Sequence, residues 1–175
     1  MRDSFAPVRG LDQGKARAPY NVLFLCTANA ARSIMAETIL GRIGLTRFRA
    51  FSAGSHPKGE VHPRALALLR DQGFDTGRLH SKSWSEFIKA GAPVLDFVIT
   101  VCEVSEICPS WPGQPLSAHW AMPDPAAVTP QAAAQAFAET YRQLSARLSI
   151  FVNLNMSGLS RLALQKQVRD IADED

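Results

Sequence analysis

The sequence predicts a single α/β domain, a four-stranded parallel sheet flanked by helices on both faces. Apolar runs of strand length alternate along the chain with segments of helical periodicity. The first run, residues 22–25, is apolar throughout, which is typical of a strand buried on both faces of a parallel sheet. At 175 residues and 46% hydrophobic content, the chain has enough material for one substantial core.

The first half of the chain supplies two strands and two helices of this domain. The run at 22–25 ends at a cysteine, and a helix with apolar spacing follows until Gly44 stops it. Residues 48–54 alternate as a second strand would, and a loop rich in Gly and Pro comes next. A second helix opens at His62 with a proline in its first turn, and Gly73 ends it.

The second half completes the alternation. Residues 80–90 predict a loop and short helix, and residues 97–101 form a third, fully apolar strand. A short fourth strand is expected at the sheet edge over 117–122. A long helix is predicted over 129–153, capped by its first residue with proline next, and a last helix over 159–171.

Composition narrows the classes of function. Residues 1–19 lack periodicity and predict a flexible N-terminal extension, which leaves 20–175 as the folded domain. The formal net charge of +3 comes without basic runs, so no nucleic-acid partner is expected. We expect no membrane association and a cytoplasmic protein, because neither a long apolar run nor a signal peptide is seen. The odd count of three cysteines favours free thiols over structural disulfides.

The turn between the first strand and first helix predicts an oxyanion site. The first N–H groups of a helix lack internal partners and carry the positive end of its dipole. Arg32 adds a planar, permanently charged fork that suits two oxygens of phosphate, arsenate or sulfate. The loop amides complete the expected binding set, which comprises Thr27, Ala28, Asn29, Ala30, Ala31 and Arg32.

Cys26 lies at the floor of this predicted cradle. The same N–H groups and the arginine charge favour thiolate over thiol, which makes Cys26 a candidate nucleophile beneath a bound anion. Ser33 can donate its hydroxyl to that thiolate, and Asn29 tolerates the left-handed backbone that a curled loop needs. The alternative interpretation is an ordinary buried cysteine followed by an ordinary first-turn arginine.

The stretch VLFLCTANAARSIMAE resembles the active-site loop of the low-molecular-weight protein tyrosine phosphatase superfamily, most closely its arsenate reductase branch. The resemblance runs from about residue 21 to the C-terminus and implies that family's flavodoxin-like topology. It also implies that the first and third strands are neighbours, with Cys102 starting its loop beside Cys26. Ala28 replaces a glycine common in this loop, and Ala30 replaces a frequent serine.

The loop from Cys102 to Pro115 is longer than a parallel crossover requires. Its two cysteines could be incidental, or could form a zinc site with His119, although the spacing and ligand count disfavour zinc. Thioredoxin-coupled arsenate reductases of the superfamily carry two cysteines in a matching loop, followed by a Trp-containing segment and an HW dipeptide. The chain matches with Cys102, Cys108, Trp111, His119 and Trp120, in a shorter cysteine spacing than many relatives have.

Asp124 stands in an Asp-Pro turn after the fourth strand, where the superfamily places its general acid. Ala126 and Ala127 follow where related phosphatases commonly have tyrosines. His56 and Pro57 occupy a second position where such phosphatases tend to place an aromatic residue. The resemblance therefore implies a pocket suited to a bare oxyanion.

The resemblance implies reduction of arsenate to arsenite, with phosphate or sulfate as competing anions. Cys26 would form a covalent arseno-cysteine, Cys102 would attack its sulfur, and Cys108 would take over the disulfide. No bound cofactor is expected, and thioredoxin, or glutaredoxin with glutathione, would reduce the final disulfide.

Two other functions are open: a phosphatase of phosphotyrosine or small phosphoesters, and a non-catalytic oxyanion or arsenite sensor. Glu37 and Ser52 could help a monovalent cation behind the loop, as in some relatives, but Lys82 could supply that charge, so no metal is predicted. We interpret the four histidines as loop, cap and packing residues, namely His56, His62, His80 and His119.

Overall fold

The computed structural model describes residues 17–103 and 109–174. Within these ranges the chain forms four strands, four α-helices and two 3-10 helices. In chain order they are β1 (Tyr20–Cys26), α1 (Arg32–Ile43), β2 (Phe48–Gly54), α2 (Pro63–Asp71), the first 3-10 helix (Trp84–Phe87), β3 (Phe97–Thr100), β4 (Leu116–His119), α3 (Pro130–Val152), α4 (Arg161–Asp170) and the second 3-10 helix (Ile171–Asp173).

The four strands form one parallel sheet in the order β2-β1-β3-β4. Leu25 of β1 pairs with Ala53 on one side and with Thr100 on the other. The predicted parallel sheet is confirmed, as is the expected adjacency of the first and third strands. Their carboxyl ends meet at the same edge, where open α/β sheets bind ligands.

Alternate residues of β1 pack into two separate cores. Val22 and Phe24 belong to the larger cluster, to which all four α-helices contribute buried side chains. Leu23 and Leu25 face the opposite side, where Phe87 of the first 3-10 helix packs over them. Because side chains alternate along a strand, an apolar run without alternation is what burial on both faces requires.

Some predicted boundaries differ from the structure by a few residues, and two of these differences have a clear cause. The fourth strand ends at His119 rather than at residue 122, because Pro123 soon follows and a proline has no N–H to donate to a ladder. The last helix begins later than predicted, at Arg161, since the Ser160 side chain accepts a hydrogen bond from the Ala163 N–H and caps it. Thr129 is the N-cap of α3 as predicted, but its side chain makes no capping hydrogen bond.

The strand ends place three of the predicted site residues at one edge of the sheet. Cys26 is the last residue of β1, Cys102 follows β3, and Asp124 follows β4. Cys108 lies outside the described residues, as does most of the predicted N-terminal extension. No helix among residues 17–103 and 109–174 has both the length and the apolar character that a membrane crossing needs.

Candidate active site

The cradle loop, residues 26–33, has its carbonyl groups turned outward onto a backing segment, residues 55–62. Three N–H groups of the backing segment donate to cradle carbonyls at 2.8, 3.1 and 2.8 Å, in the pairs His56 to Thr27, Lys58 to Ala28, and His62 to Ala30. In a planar trans peptide the N–H points opposite to the C=O. The amides that follow these carbonyls therefore point into the cradle, as an anion-binding loop requires.

The Cys26 thiol receives two contacts inside the cradle. The Asn29 N–H donates to its Sγ at 3.2 Å, and the Ser33 Oγ lies 2.9 Å away. Because the Ser33 oxygen already accepts a hydrogen bond from the Asn29 side-chain amide at 2.8 Å, its own proton is available to the sulfur. Both contacts stabilise a negative charge on Cys26.

Asn29 organises the loop and is completely buried. Asn29 has a positive φ of 44°, in the left-handed region. Ala28 is not among the residues with positive φ in the described chain. An alanine at position 28, where a glycine is common in the family, therefore adopts this backbone without the strain of a positive φ. The Asn29 Oδ1 accepts a hydrogen bond from the Lys82 N–H at 2.8 Å, which fixes the side chain against a segment 53 residues away.

Two residues behind the cradle were not singled out from the sequence. A Cβ atom added to Gly54 would lie 2.6 Å from the Thr27 carbonyl oxygen, so only glycine allows the loop to approach β2 this closely. The Ser81 hydroxyl donates to the Ala28 carbonyl at 3.2 Å. Both contacts join residues that are far apart in the chain, so no local sequence pattern predicts them.

A charged cluster lies behind the loop. The Lys82 ammonium is 3.6 Å from a Glu37 carboxylate oxygen and donates to the Ser52 hydroxyl at 3.3 Å. Ser52 in turn donates to the same Glu37 oxygen. Lys82 thus supplies a positive charge at the position considered for a monovalent cation, and its backbone N–H bonds Asn29 in the loop.

Helix α1 begins at Arg32 directly behind the cradle. Its N-cap, Ala31, makes no side-chain capping hydrogen bond, and the first turn carries no acidic residue. The first N–H groups of the helix therefore have no N-capping side chain as an acceptor. An anion in the cradle can accept from them and benefit from the helix dipole.

Arg32 links the cradle to the Asp-Pro loop, residues 120–126. Its Nη1 donates to the Met122 carbonyl at 2.7 Å, and its Nη2 lies 4.0 Å from the Asp124 carboxylate. The other Asp124 oxygen accepts from the Ala126 N–H at 3.0 Å, which holds the carboxylate in a tight turn. The carboxylate of Asp124 thereby faces the guanidinium that is expected to hold the anion.

Cys102 is a buried cysteine beside the cradle. The Val101 N–H donates to the Leu25 carbonyl at 2.8 Å, so the ends of β3 and β1 run side by side into Cys102 and Cys26. Both cysteines belong to the larger hydrophobic cluster. The Nε2 of His119 lies 2.5 Å from the Cys102 carbonyl oxygen, which fixes the start of the loop that leads towards Cys108.

Metal ligation finds no support in the described part of the chain. Among residues 17–103 and 109–174, no group of three or more His, Cys, Asp and Glu side chains is placed to hold a metal ion. The zinc alternative also needs Cys108, which those ranges leave out.

Comparison with known proteins adds evidence of ancestry. The family model described as low molecular weight phosphotyrosine protein phosphatase matches residues 21–168, which is most of the chain. The protein belongs to this family. The resemblance noted in the sequence is thereby confirmed.

Several proteins similar to this chain carry the name arsenate reductase. The arsenate reductase of Halalkalibacterium halodurans is 31% identical over 106 residues, covering 60% of this chain and 73% of that protein. A structure titled an arsenate reductase in the phosphate binding state is 26% identical with a TM-score of 0.65, covering 76% of this chain and 96% of that one.

The thioredoxin-dependent arsenate reductase of Corynebacterium glutamicum is 25% identical with a TM-score of 0.59. The match covers 77% of this chain, which spans 61% of the length of the Corynebacterium glutamicum chain.

Proposed function

We propose that this protein reduces arsenate to arsenite, with the electrons supplied by its own cysteine thiols, and so serves arsenic detoxification. The observation that carries the proposal is the placement of two thiols. Cys26 lies at the floor of an anion cradle, and Cys102 is buried at the end of the neighbouring parallel strand. A phosphoester hydrolase needs the first of these thiols and has no use for the second.

The names of the relatives agree with this assignment. The curated relative at 31% identity is an arsenate reductase, and so are the structural neighbours described above. One neighbour was captured in a phosphate-binding state, which supports an oxyanion as the occupant of the cradle here.

In the first step, the Cys26 thiolate attacks arsenic(V). The guanidinium of Arg32 and the inward-facing amides of residues 27–32 hold the arsenate oxygens and stabilise their charge. Asp124, whose carboxylate lies 4.0 Å from Arg32, gives a proton to the departing oxygen, which leaves as water. The product is a covalent Cys26–arsenate adduct, and the arsenic has not yet changed oxidation state.

In the second step, the Cys102 thiolate attacks the Sγ of Cys26. A disulfide forms between the two cysteines, and the sulfur–arsenic bond breaks with its electron pair remaining on arsenic. Arsenic(V) thereby becomes arsenic(III) and leaves as arsenite, while the two thiols are oxidised together by two electrons. The adjacency of β1 and β3 supports this pairing, because it places both residues at the same sheet edge in one cluster.

In the third step, Cys108 attacks the Cys102 sulfur and releases the Cys26 thiolate. The resulting disulfide joins Cys102 and Cys108, and an external dithiol reduces it. Thioredoxin, or glutaredoxin with glutathione, can serve as that reductant. The thioredoxin-dependent relative favours the first.

The residues that flank the Asp-Pro dipeptide and the cradle favour a bare oxyanion as substrate. Ala126 and Ala127, both exposed, follow the Asp-Pro dipeptide and offer only methyl side chains where related phosphatases commonly have tyrosines. His56 and Pro57 lie on the backing segment, at the position where such phosphatases tend to place an aromatic residue. This set of residues lacks the tyrosines that would hold the ring of an aromatic phosphoester, which favours a substrate without one.

A second candidate function is phosphatase activity on phosphotyrosine or small phosphoesters. It is favoured by the family itself and by the arrangement of Cys26, Arg32 and Asp124, which is complete without the other two cysteines. A residual phosphatase activity is compatible with arsenate reduction, because both begin with attack by the same thiolate.

The deciding experiment measures arsenate-dependent NADPH oxidation by the purified protein with thioredoxin and its reductase. Hydrolysis of p-nitrophenyl phosphate is followed in parallel. Cys26→Ser should abolish both reactions, whereas Cys102→Ser and Cys108→Ser should abolish only NADPH oxidation.

Each other outcome points to a different function. Phosphate release with no arsenate-dependent oxidation, also with glutaredoxin and glutathione, would favour the phosphatase. Failure of both reactions would contradict an enzymatic function and favour an oxyanion or arsenite sensor. Full arsenate turnover by the Cys102 variant would refute the thiol relay.

A further inference from the structure

Arg147 of α3 is a buried arginine that bonds two separate stretches of backbone. Arg147 is 6% exposed. The Nη1 donates to the Ala121 carbonyl at 3.5 Å, and the Nη2 donates to the Ala172 carbonyl at 3.0 Å. One guanidinium thus joins the Asp-Pro loop to the second 3-10 helix at the C-terminal end of the described chain.

The Asp-Pro loop is bonded to an arginine on either side. Arg147 bonds the carbonyl of Ala121, and Arg32 bonds the carbonyl of the next residue, Met122, at 2.7 Å. Asp124 follows two residues later. Two consecutive carbonyls are therefore held, one by an arginine of α3 and one by the arginine of the cradle loop. The direction in which the chain enters the Asp-Pro turn depends on both arginines.

The burial of Arg147 indicates that its guanidinium orients the backbone groups that it bonds. An arginine is always charged, and its desolvation is compensated only by well-placed acceptors, here backbone carbonyls. An apolar side chain of similar volume would fill the same space with less desolvation. What an apolar residue could not do is fix the positions of two carbonyl groups relative to each other.

Ala172, whose carbonyl accepts the second hydrogen bond from Arg147, lies outside the part of the chain that the family model covers. That match ends at Val168, whereas Ala172 follows it in the second 3-10 helix. The helix is attached to the core by Ile171, which is 2% exposed. The connection from the C-terminal helix through Arg147 to the Asp-Pro loop therefore extends beyond the common family core.

We propose that Arg147 is a positioning residue that sets the location of the Asp124 carboxylate relative to Arg32. The inference rests on the proposed function, in which Asp124 protonates the leaving oxygen. Arg147 touches neither the substrate site nor the cradle loop in the contacts described. It acts through the backbone of residues 121–124, with the second 3-10 helix as its fixed support.

The test compares Arg147→Met and Arg147→Lys with Arg142→Met. Arg142 lies on the same helix, but it is exposed and its guanidinium bonds Glu139 on the helix surface, which makes Arg142→Met a matched control. Arg147→Met should lower kcat for arsenate about tenfold with KM within about twofold, since proton donation is misaligned while the cradle is intact. Arg147→Lys keeps the charge and should recover part of the loss.

A double variant separates positioning from general damage. In an Asp124→Asn background, Arg147→Met should change kcat by less than about twofold, because its effect passes through the missing carboxyl group. An equal loss of kcat in both backgrounds would overturn the inference. If Arg147→Met does not fold by circular dichroism, Arg147→Lys takes its place in the same cycle.

The two proposals fail in different ways. If Asp124→Asn lowers kcat but folded Arg147→Met behaves like Arg142→Met, the positioning role is wrong and the proposed function stands. If Asp124→Asn leaves kcat unchanged, Asp124 is not the proton donor, and the inference falls with it.

Discussion

Ser33 Oγ lies 2.9 Å from Cys26 Sγ and accepts a hydrogen bond from the Asn29 side-chain amide. This orientation aims the serine proton at the sulfur. The Lys82 backbone N–H in turn donates to the oxygen of the same Asn29 side chain. The hydrogen bond from Ser33 to the Cys26 sulfur therefore depends on a segment outside the loop.

Ser33→Ala should slow the first chemical step without abolishing it. The variant removes a hydroxyl that stabilises the thiolate, while the Asn29 N–H contact at 3.2 Å remains. Loss of one charge-stabilising donor predicts a rate reduction of about tenfold to a hundredfold. The measurement is the single-turnover loss of free Cys26 thiol after mixing with excess arsenate.

The matched control for that variant is Ser149→Ala, whose hydroxyl bonds only a carbonyl of its own helix among the contacts described. It should react at the wild-type rate. A Ser33→Ala protein as fast as this control would mean that the hydroxyl contributes nothing to the nucleophile.

Gly54→Ala should damage the cradle, whereas Gly41→Ala should not. The new methyl group at position 54 would lie 2.6 Å from the Thr27 carbonyl, but at position 41 it meets no atom within 4 Å. We expect a loss of about 2 kcal/mol in unfolding free energy for Gly54→Ala, and a gain of up to about 1 kcal/mol for the helical Gly41→Ala.

Urea unfolding measures both glycine variants, and phosphate inhibition of the enzyme reports on the cradle. Gly54→Ala should bind phosphate more weakly because Thr27 is displaced. Equal stability and equal phosphate inhibition of the two variants would show that the close approach of β2 to the loop is not required.

Lys82→Met should destabilise the protein by leaving Glu37 without its ammonium partner. The Lys82 side chain is 9% exposed and that of Glu37 is 21% exposed, so the carboxylate is largely desolvated. Breaking such a pair predicts a loss of about 2 kcal/mol, below the range for fully buried pairs. The measurement is the free energy of unfolding in urea.

The double variant Lys82→Met with Glu37→Gln removes the unpaired charge and should recover much of that stability. Lys89→Met serves as the control and should have little effect, because Lys89 is exposed. No recovery in the double variant would indicate that packing, rather than charge, accounts for the loss.

Cys108→Ser should complete a single turnover and then stop. Without Cys108, the Cys26–Cys102 disulfide has no internal thiol to resolve it, so arsenite release ends when the protein is oxidised. Rapid-quench measurement of arsenite should give a burst equal to the enzyme concentration. Cys102→Ser should give no burst, and steady multiple turnover by Cys108→Ser would contradict the relay.

Local patterns were sufficient to predict the sheet and the position of the cradle. The apolar run before Cys26 and the helical spacing after Arg32 predicted a strand, a turn and a helix, and the structure contains all three. Alternation of strands and helices predicted the parallel sheet, which is confirmed. The chemical roles of the site residues stay predictions, and that of Cys108 lies outside the described residues.

The support of the cradle could not be predicted in the same way. Gly54, Ser81 and Lys82 touch the loop through contacts that span up to 53 residues. Each belongs to an ordinary-looking local sequence, a strand end or a polar connection. Only the packing of β2 and the later segment against the loop gives these residues their importance.

By itself, the sequence determined which residue types enter the turn after β1, and therefore that an anion and a thiolate can meet there. That follows because strand and helix periodicity, helix dipoles and side-chain charge are local properties. The tertiary structure decided which way the peptide groups of the loop face, and how Arg32 and Arg147 hold the Asp-Pro loop. Those features depend on hydrogen bonds between distant segments, which exist only once the sheet has brought its strand ends together.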